Sequence, residues 1–247
     1  MTPLRQIIKA CLLVAAPVLL CLSATTGRAG DFAEFRPLGF SADGTVFGFE
    51  EFGVQDGSGF PYANRYFINT STDSYAAPPV RVRIDDDTAT LADARATAAA
   101  TSPALAAGLS DNPGIFAAYQ PATELRSNGL ELSYTSFAME PFPGGPYKVQ
   151  LSEKPLPASA GCAAFGEESV GFKLRMTETD GELASITLQD DASVPASRNC
   201  PTSYRLGGAL THANPDGSTT HVILILVRSH GFEGADGRWI AVTRRLN

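Results

Sequence analysis

Histidine, cysteine and tryptophan are scarce in this chain: three, four and one among 247 residues. The histidines, His212, His221 and His230, include no HxxxH pair, which excludes a zinc-protease helix. His221 and His230 bracket one apolar run and are expected at its opposite ends, as surface or strand-end residues. No G-x-S-x-G is present, and Gly57-Ser58-Gly59 lacks the spacing of a nucleophile elbow. A G-x-x-x-x-G-K loop is absent, and so is a G-x-G-x-x-G between strand and helix. Positive charge is also short, with 19 Lys+Arg against 26 Asp+Glu and a formal charge of −7. Arg81/Arg83 and Arg244/Arg245 are isolated pairs. An acidic chain with no basic cluster repels nucleic acid and anionic membrane surfaces. Past the N-terminus no apolar run is long enough to span a bilayer. The expectation is therefore no metal, no cofactor, no nucleic-acid partner and no stable membrane insertion.

What is present begins with an export signal. Arg5 and Lys9 form a positive n-region, and Cys11 to Leu22 is an apolar core too short to cross a membrane comfortably. Gly27-Arg28-Ala29 offers small residues at both positions a signal peptidase reads. Residues 1–29 are expected to be a signal peptide and 30–247 a single β-rich domain, periplasmic or secreted. Cleavage removes Arg5, Lys9 and Arg28 and no acid, so the exported chain is more acidic still. It also removes Cys11 and Cys21. Cys162 and Cys200 remain, an even pair outside any CxxC in an oxidising compartment, and are expected to form a structural disulfide.

Most of the exported chain reads as antiparallel β. Asp-Gly recurs at Asp43, Asp56, Asp180, Asp216 and Asp236 between apolar runs, a strong hairpin signal. In GFKLRMTETDGELASITL, Phe172, Leu174 and Met176 face inward on one arm and Ala184, Ile186 and Leu188 on the other. Matching these sets favours a three-residue loop, Thr179 to Gly181, over a two-residue one. Val222 to Val227 is apolar on both faces, the mark of a central strand. Trp239 to Val242 is expected in the last strand. The Ala-rich stretch from Thr88 to Leu109 favours helix. Thr90 with Asp93 forms a capping box, and Ser102-Pro103 starts a second short helix. The fold expected is an antiparallel β-sandwich or distorted barrel with a short Ala-rich helical insertion. The turn-then-strand phrase at Ala42–Phe49 echoes at Ala235–Val242, and more loosely at Asn214–Gly217. That echo resembles the blades of a TolB-like β-propeller and makes a small or incomplete propeller the alternative.

Turn residues, aromatics and acids crowd most densely between Gly39 and Phe67. The phrase GFSADGTVFGFEEFGVQDGSGFPYANRYFI, with PPVRVRI, the Ala-rich helix and GRWIAV, resembles a family of predicted secreted bacterial proteins of unknown function. The likeness runs over the whole exported chain, and FEEFGVQDGSGFPYA is its most specific part. The resemblance implies an exported, single-domain protein and brings no catalytic residue with it.

Candidate binding residues come from the same segment: Glu50, Glu51, Asp56, Ser58, Tyr62, Asn64 and Arg65. Aromatic, amide and charged groups beside a glycine-rich turn suit a sugar or a peptide. Glu50 and Glu51 are adjacent on a strand, so their side chains point to opposite faces and cannot form a glycosidase pair. The acidic runs Asp85-Asp86-Asp87 and Gln189-Asp190-Asp191 read as solvated turns. The function expected is a non-enzymatic envelope binding or accessory module for an envelope ligand or protein. The alternative is a carboxylate-dependent hydrolase using Glu50 or Glu51 with Asp56.

Overall fold

The computed structural model describes residues 30–247, apart from 110, 111, 125, 126, 167 and the side chain of Ala104. The expected signal peptide lies outside the described residues. Three antiparallel sheets carry the fold. The first contains β1 (Glu34–Phe40), β2 (Val46–Val54), β3 (Pro61–Asn69) and β4 (Ser74–Tyr75), with β5 (Val80–Arg83) also paired to β3. The middle sheet contains β6 (Ile115–Tyr119), β11 (Pro201–Ala213), β12 (Thr219–His230) and β13 (Ala235–Leu246), in the order β13-β12-β11-β6. The third contains β7 (Glu131–Tyr134), β8 (Tyr147–Pro157), β9 (Glu168–Thr179) and β10 (Glu182–Asp190).

Strand β12 shows why the sheets stack. Val222, Leu224 and Leu226 pack with Phe47, Phe49, Tyr66 and Ile68 of the first sheet. Ile223, Ile225 and Val227 pack with Val149, Leu151, Leu174 and Met176 of the third. A strand apolar on both faces needs a sheet on each side to remove both from water, and β12 has them. The result is a sandwich with a third sheet added. Among the described residues no sheet closes into a barrel, and the sheets stack face to face instead of radiating around a common axis, so the distorted barrel and the propeller are not found.

A fourth layer covers the outer face of the first sheet. α1 (Leu91–Thr101) starts at the Thr90/Asp93 capping box, with both reciprocal bonds present. Ala94 and Ala98, four residues apart on one helix face, are fully buried against Phe52 and Ala63. Only a methyl-sized side chain lets the helix lie this close to the sheet, which explains the alanine content. α2 (Pro103–Ala106) follows as a separate turn with Pro103 at its first position.

Two turn readings need correction. Thr179 pairs with Glu182, so the β9–β10 loop has two residues, Asp180 and Gly181, both at positive φ. That is the geometry of a type I′ hairpin. Two bulges in β10 then bring Met176 opposite Ile186 and leave the inward sets inward. The conflict between register and burial is resolved by bulges and not by a longer loop. Asp236-Gly237, in turn, is no hairpin: it lies inside β13, paired with Ser229 and Arg228. Gly237 is needed because a Cβ there would meet the Phe32 ring at 2.5 Å.

His221 is not a surface or strand-end histidine but is fully buried. Its Nδ1 lies 3.0 Å from the Tyr134 hydroxyl, and the Tyr147 ring is 4.4 Å away. Its Nε2 is buried with no partner. Burial pushes the imidazole down to about 4 from an ordinary 6.5. The unfolded chain then binds a proton below pH 6.5 that the folded chain refuses until about 4. Stability should fall as pH drops through that window, by roughly 3 kcal/mol at most. Urea unfolding at pH 7.5 and pH 4.5 checks this: His221→Gln should lose clearly less stability between the two than the parent protein. Equal losses would place the acid sensitivity elsewhere.

Candidate functional site

Alternation along β2 sends its two glutamates to different layers. Glu50 points under α1 and is fully buried. Arg65, opposite it on β3, donates to Oε1 at 3.3 Å, and Arg95 of α1 donates to Oε2 at 2.8 Å. The Arg95 guanidinium also lies 3.9 Å from the Phe52 ring centroid. One carboxylate therefore binds two guanidinium groups and ties the helix to the sheet.

Glu51 points the other way, toward the middle sheet, and is 1% exposed. Its Oε1 accepts from Asn64 Nδ2 at 3.0 Å and from the Tyr66 hydroxyl at 2.8 Å. Its Oε2 accepts the backbone N–H of Trp239 at 2.7 Å. That N–H belongs to the outer edge of β13, which among the described residues is covered only by a bridge from Phe32 to Gly237. Edge groups of this kind need partners. Asp73 supplies the next, accepting the Thr243 N–H at 2.7 Å. At the other end Gly237 exchanges backbone bonds with Asp31 and Ala33. Outward and inward residues alternate along an antiparallel strand, so Ala241, between the two capped positions, also faces outward. Among the described residues no partner takes its N–H.

A cleft opens over this stretch. Residues Trp239 to Val242 form its floor, and Tyr66, Ile68 and Tyr75 of the first sheet form one wall. Pro195, Ser197 and Arg198, on the connection from the third sheet to β11, form the other. It has two adjoining lobes, of about 360 Å³ and about 310 Å³, within the range of small-molecule sites. The deeper lobe adds Glu51, Asn64, Arg81 and Arg238. The Tyr66 and Tyr75 rings stack at 6.2 Å, and Tyr75 is half exposed. Burial, followed by the Glu51 carboxylate, pushes the Tyr66 phenol well above its ordinary range and keeps it a donor.

The far wall is fixed by two devices. Arg198 pairs with Asp191, which is 2% exposed, and lies 4.6 Å from the Phe172 ring centroid. Burial pushes the Asp191 carboxyl up, but hydrogen bonds from Arg198, Gln189 and the Phe172 N–H outweigh it and hold the group low. Asp191 is thus a buried anchor and not a solvated turn residue. The expected disulfide, Cys162–Cys200, then pins the chain next to Asn199.

The candidate residues separate into four places. Glu51 and Asn64 line the cleft. Glu50 and Arg65 lie under α1. Tyr62 donates to Asp31 at 2.7 Å, and Asp31 is paired in turn with Arg238. Asp56 and Ser58 belong to the β2–β3 turn, where Ser58 Oγ donates to Gln55 and accepts the Phe60 N–H. The Phe232 ring packs against Gly57 of the same turn. Nothing in the sequence marks Tyr75, Arg81, Arg198 or Trp239 as site residues. Alternation in PPVRVRI does put Arg81 and Arg83 on one face, but nothing local shows which surface that face meets.

A family model described as "Predicted secreted protein (DUF2259)" matches residues 48–245. The chain belongs to the DUF2259 family. The match spans β2 to β13, so it covers every wall of the cleft as well as the Glu50 triad. Comparison with curated proteins and with solved structures finds no match. The secreted description of DUF2259 agrees with the export signal read from the first 29 residues. It agrees too with a disulfide outside any CxxC. No helix among the described residues is long and apolar enough to cross a membrane.

Proposed function

We propose that this DUF2259 protein is a non-enzymatic binding module of the cell envelope, periplasmic or released, and that its ligand sits in the cleft beside β13. The observation that carries the reading is the cleft's construction. It exposes an uncapped stretch of strand edge at Ala241, flanked by an aromatic wall and by a second wall held by an ion pair and a disulfide. Preorganised walls around unsatisfied main-chain groups favour binding. Glu50, by contrast, is wholly enclosed by Arg65 and Arg95, and Glu51 is committed to three donors. Neither shares a hydrogen bond with Asp56, which gives the carboxylate-hydrolase alternative no geometric support.

A thermal-shift screen against the low-molecular-weight fraction of a bacterial envelope extract tests the proposal. Stabilisation by an active fraction should disappear in Ser197→Trp, whose indole fills the cleft from an exposed position, and persist in Asp56→Ala. The reverse pattern would move the site to the β2–β3 turn. Turnover of glycan, peptide or ester substrates that is lost in Glu51→Gln would replace binding with catalysis.

A further inference from the structure

The cleft's charges are unevenly matched. Three arginines line its deeper lobe, Arg81, Arg198 and Arg238. Arg198 is held by Asp191 and Arg238 by Asp31. Arg81 takes part in none of the ion pairs among the described residues. It is exposed on β5, directly across from Asn64. It hydrogen-bonds the Tyr66 phenol oxygen, and its positive charge opposes the upward push of burial at both the Tyr66 and Tyr75 phenols.

The acids of the cleft do not occupy Arg81. Glu51 stands in the same cross-strand row, on the far side of Asn64. Its carboxylate turns down onto the Trp239 N–H and takes three donors there. Asp73 lies in the other lobe and is taken up by the Thr243 N–H and hydroxyl. The cleft therefore presents one guanidinium that hydrogen-bonds the neutral Tyr66 phenol and has no carboxylate partner, next to a half-exposed tyrosine ring. A guanidinium is a planar fork of donors that fits a carboxylate through two parallel hydrogen bonds.

The geometry points to a small carboxylate-bearing ligand, its carboxylate on Arg81 and its body against Tyr75 and the free edge at Ala241. This inference rests on the cleft being the ligand site. Glu51 and Asp73 add negative charge beside the one guanidinium that lacks a carboxylate partner, so a singly charged carboxylate is repelled less than a doubly charged phosphate. Amide and hydroxyl groups of Asn64, Ser197 and Gln189 around the same space suit a polar ligand body. The same chemistry is carried by a sugar acid and by the C-terminal carboxylate of a peptide.

Matched probes separate these sources. In ¹⁵N-labelled exported protein, glucuronate is titrated beside glucose, and N-acetylglycine beside N-acetylglycinamide, with inorganic phosphate as a fifth probe. At least one carboxylate should shift the Ala241 and Ser197 amide resonances and bind about ten-fold more tightly than its neutral counterpart. Arg81→Gln should abolish that preference, and Arg81→Lys should retain part of it. The carboxylate that binds more tightly identifies the source. Neutral probes that bind equally well, a preference that survives Arg81→Gln, or tighter binding of phosphate would each overturn the inference, while leaving the cleft as a ligand site. Cleft amides that ignore all five probes would overturn it as well, and would withdraw support from the cleft.

Discussion

Replacing Glu50 with glutamine is expected to destabilise the protein by about 3–5 kcal/mol, the range seen when one partner of a buried ion cluster is removed. The carboxylate is fully buried and binds two guanidinium groups, and Arg65 is itself 9% exposed. A neutral amide leaves both cations without a counter-charge between helix and sheet. Desolvation of the arginines would then outweigh what the remaining hydrogen bonds return. Urea unfolding followed by far-UV circular dichroism measures the loss. The triple replacement Glu50→Leu, Arg65→Met and Arg95→Met should recover most of it, because an apolar contact of similar volume carries no desolvation cost. A Glu50→Gln variant within about 1 kcal/mol of the parent would show the triad to be solvated and not buried.

Removal of the disulfide is the second large effect. Cys162 and Cys200 are 38 residues apart. Closing a loop of that length stabilises by roughly 4 kcal/mol in the chain-entropy model. The double variant Cys162→Ser with Cys200→Ser should lose about that much in denaturant unfolding under non-reducing conditions. A local consequence should come with it. Cys200 follows the Pro195–Asn199 wall of the cleft, so that wall should loosen even where the core remains intact. Amide exchange at Ser197 and Arg198 should accelerate well before exchange in β12. A double variant with unchanged stability and an unchanged wall would mean that the Arg198–Asp191 pair alone fixes the segment.

The parts of this fold that were legible in the sequence are those governed by neighbours along the chain. Val222 to Val227 announced a central strand because two apolar faces have one physical solution. Thr90 and Asp93 announced a helix start because both capping bonds lie within one turn. The opposite faces of Glu50 and Glu51 followed from strand alternation. Asp236-Gly237 misled because the same dipeptide that opens a hairpin also leaves room for a ring, here Phe32, against a flat strand. The β9–β10 register misled because bulges are invisible to a strict period of two. The cleft was hidden for a different reason. The bond from Trp239 to Glu51 spans 188 positions, and that from Arg238 to Asp31 spans 207. Such contacts depend on which sheet edge meets which wall, and no local pattern encodes that meeting. Tyr75 and Arg81, on two short strands that each pair with β3, gave no sign of what they would face.

Hydrogen–deuterium exchange on the exported protein, with and without the stabilising fraction of an envelope extract, tests the ligand site most directly. The account predicts new protection in peptides covering residues 239–243 and 195–199, with none at residues 55–60 in the β2–β3 turn. Protection confined to that turn, or a bound ligand that leaves the β13 edge exchanging as before, would contradict it.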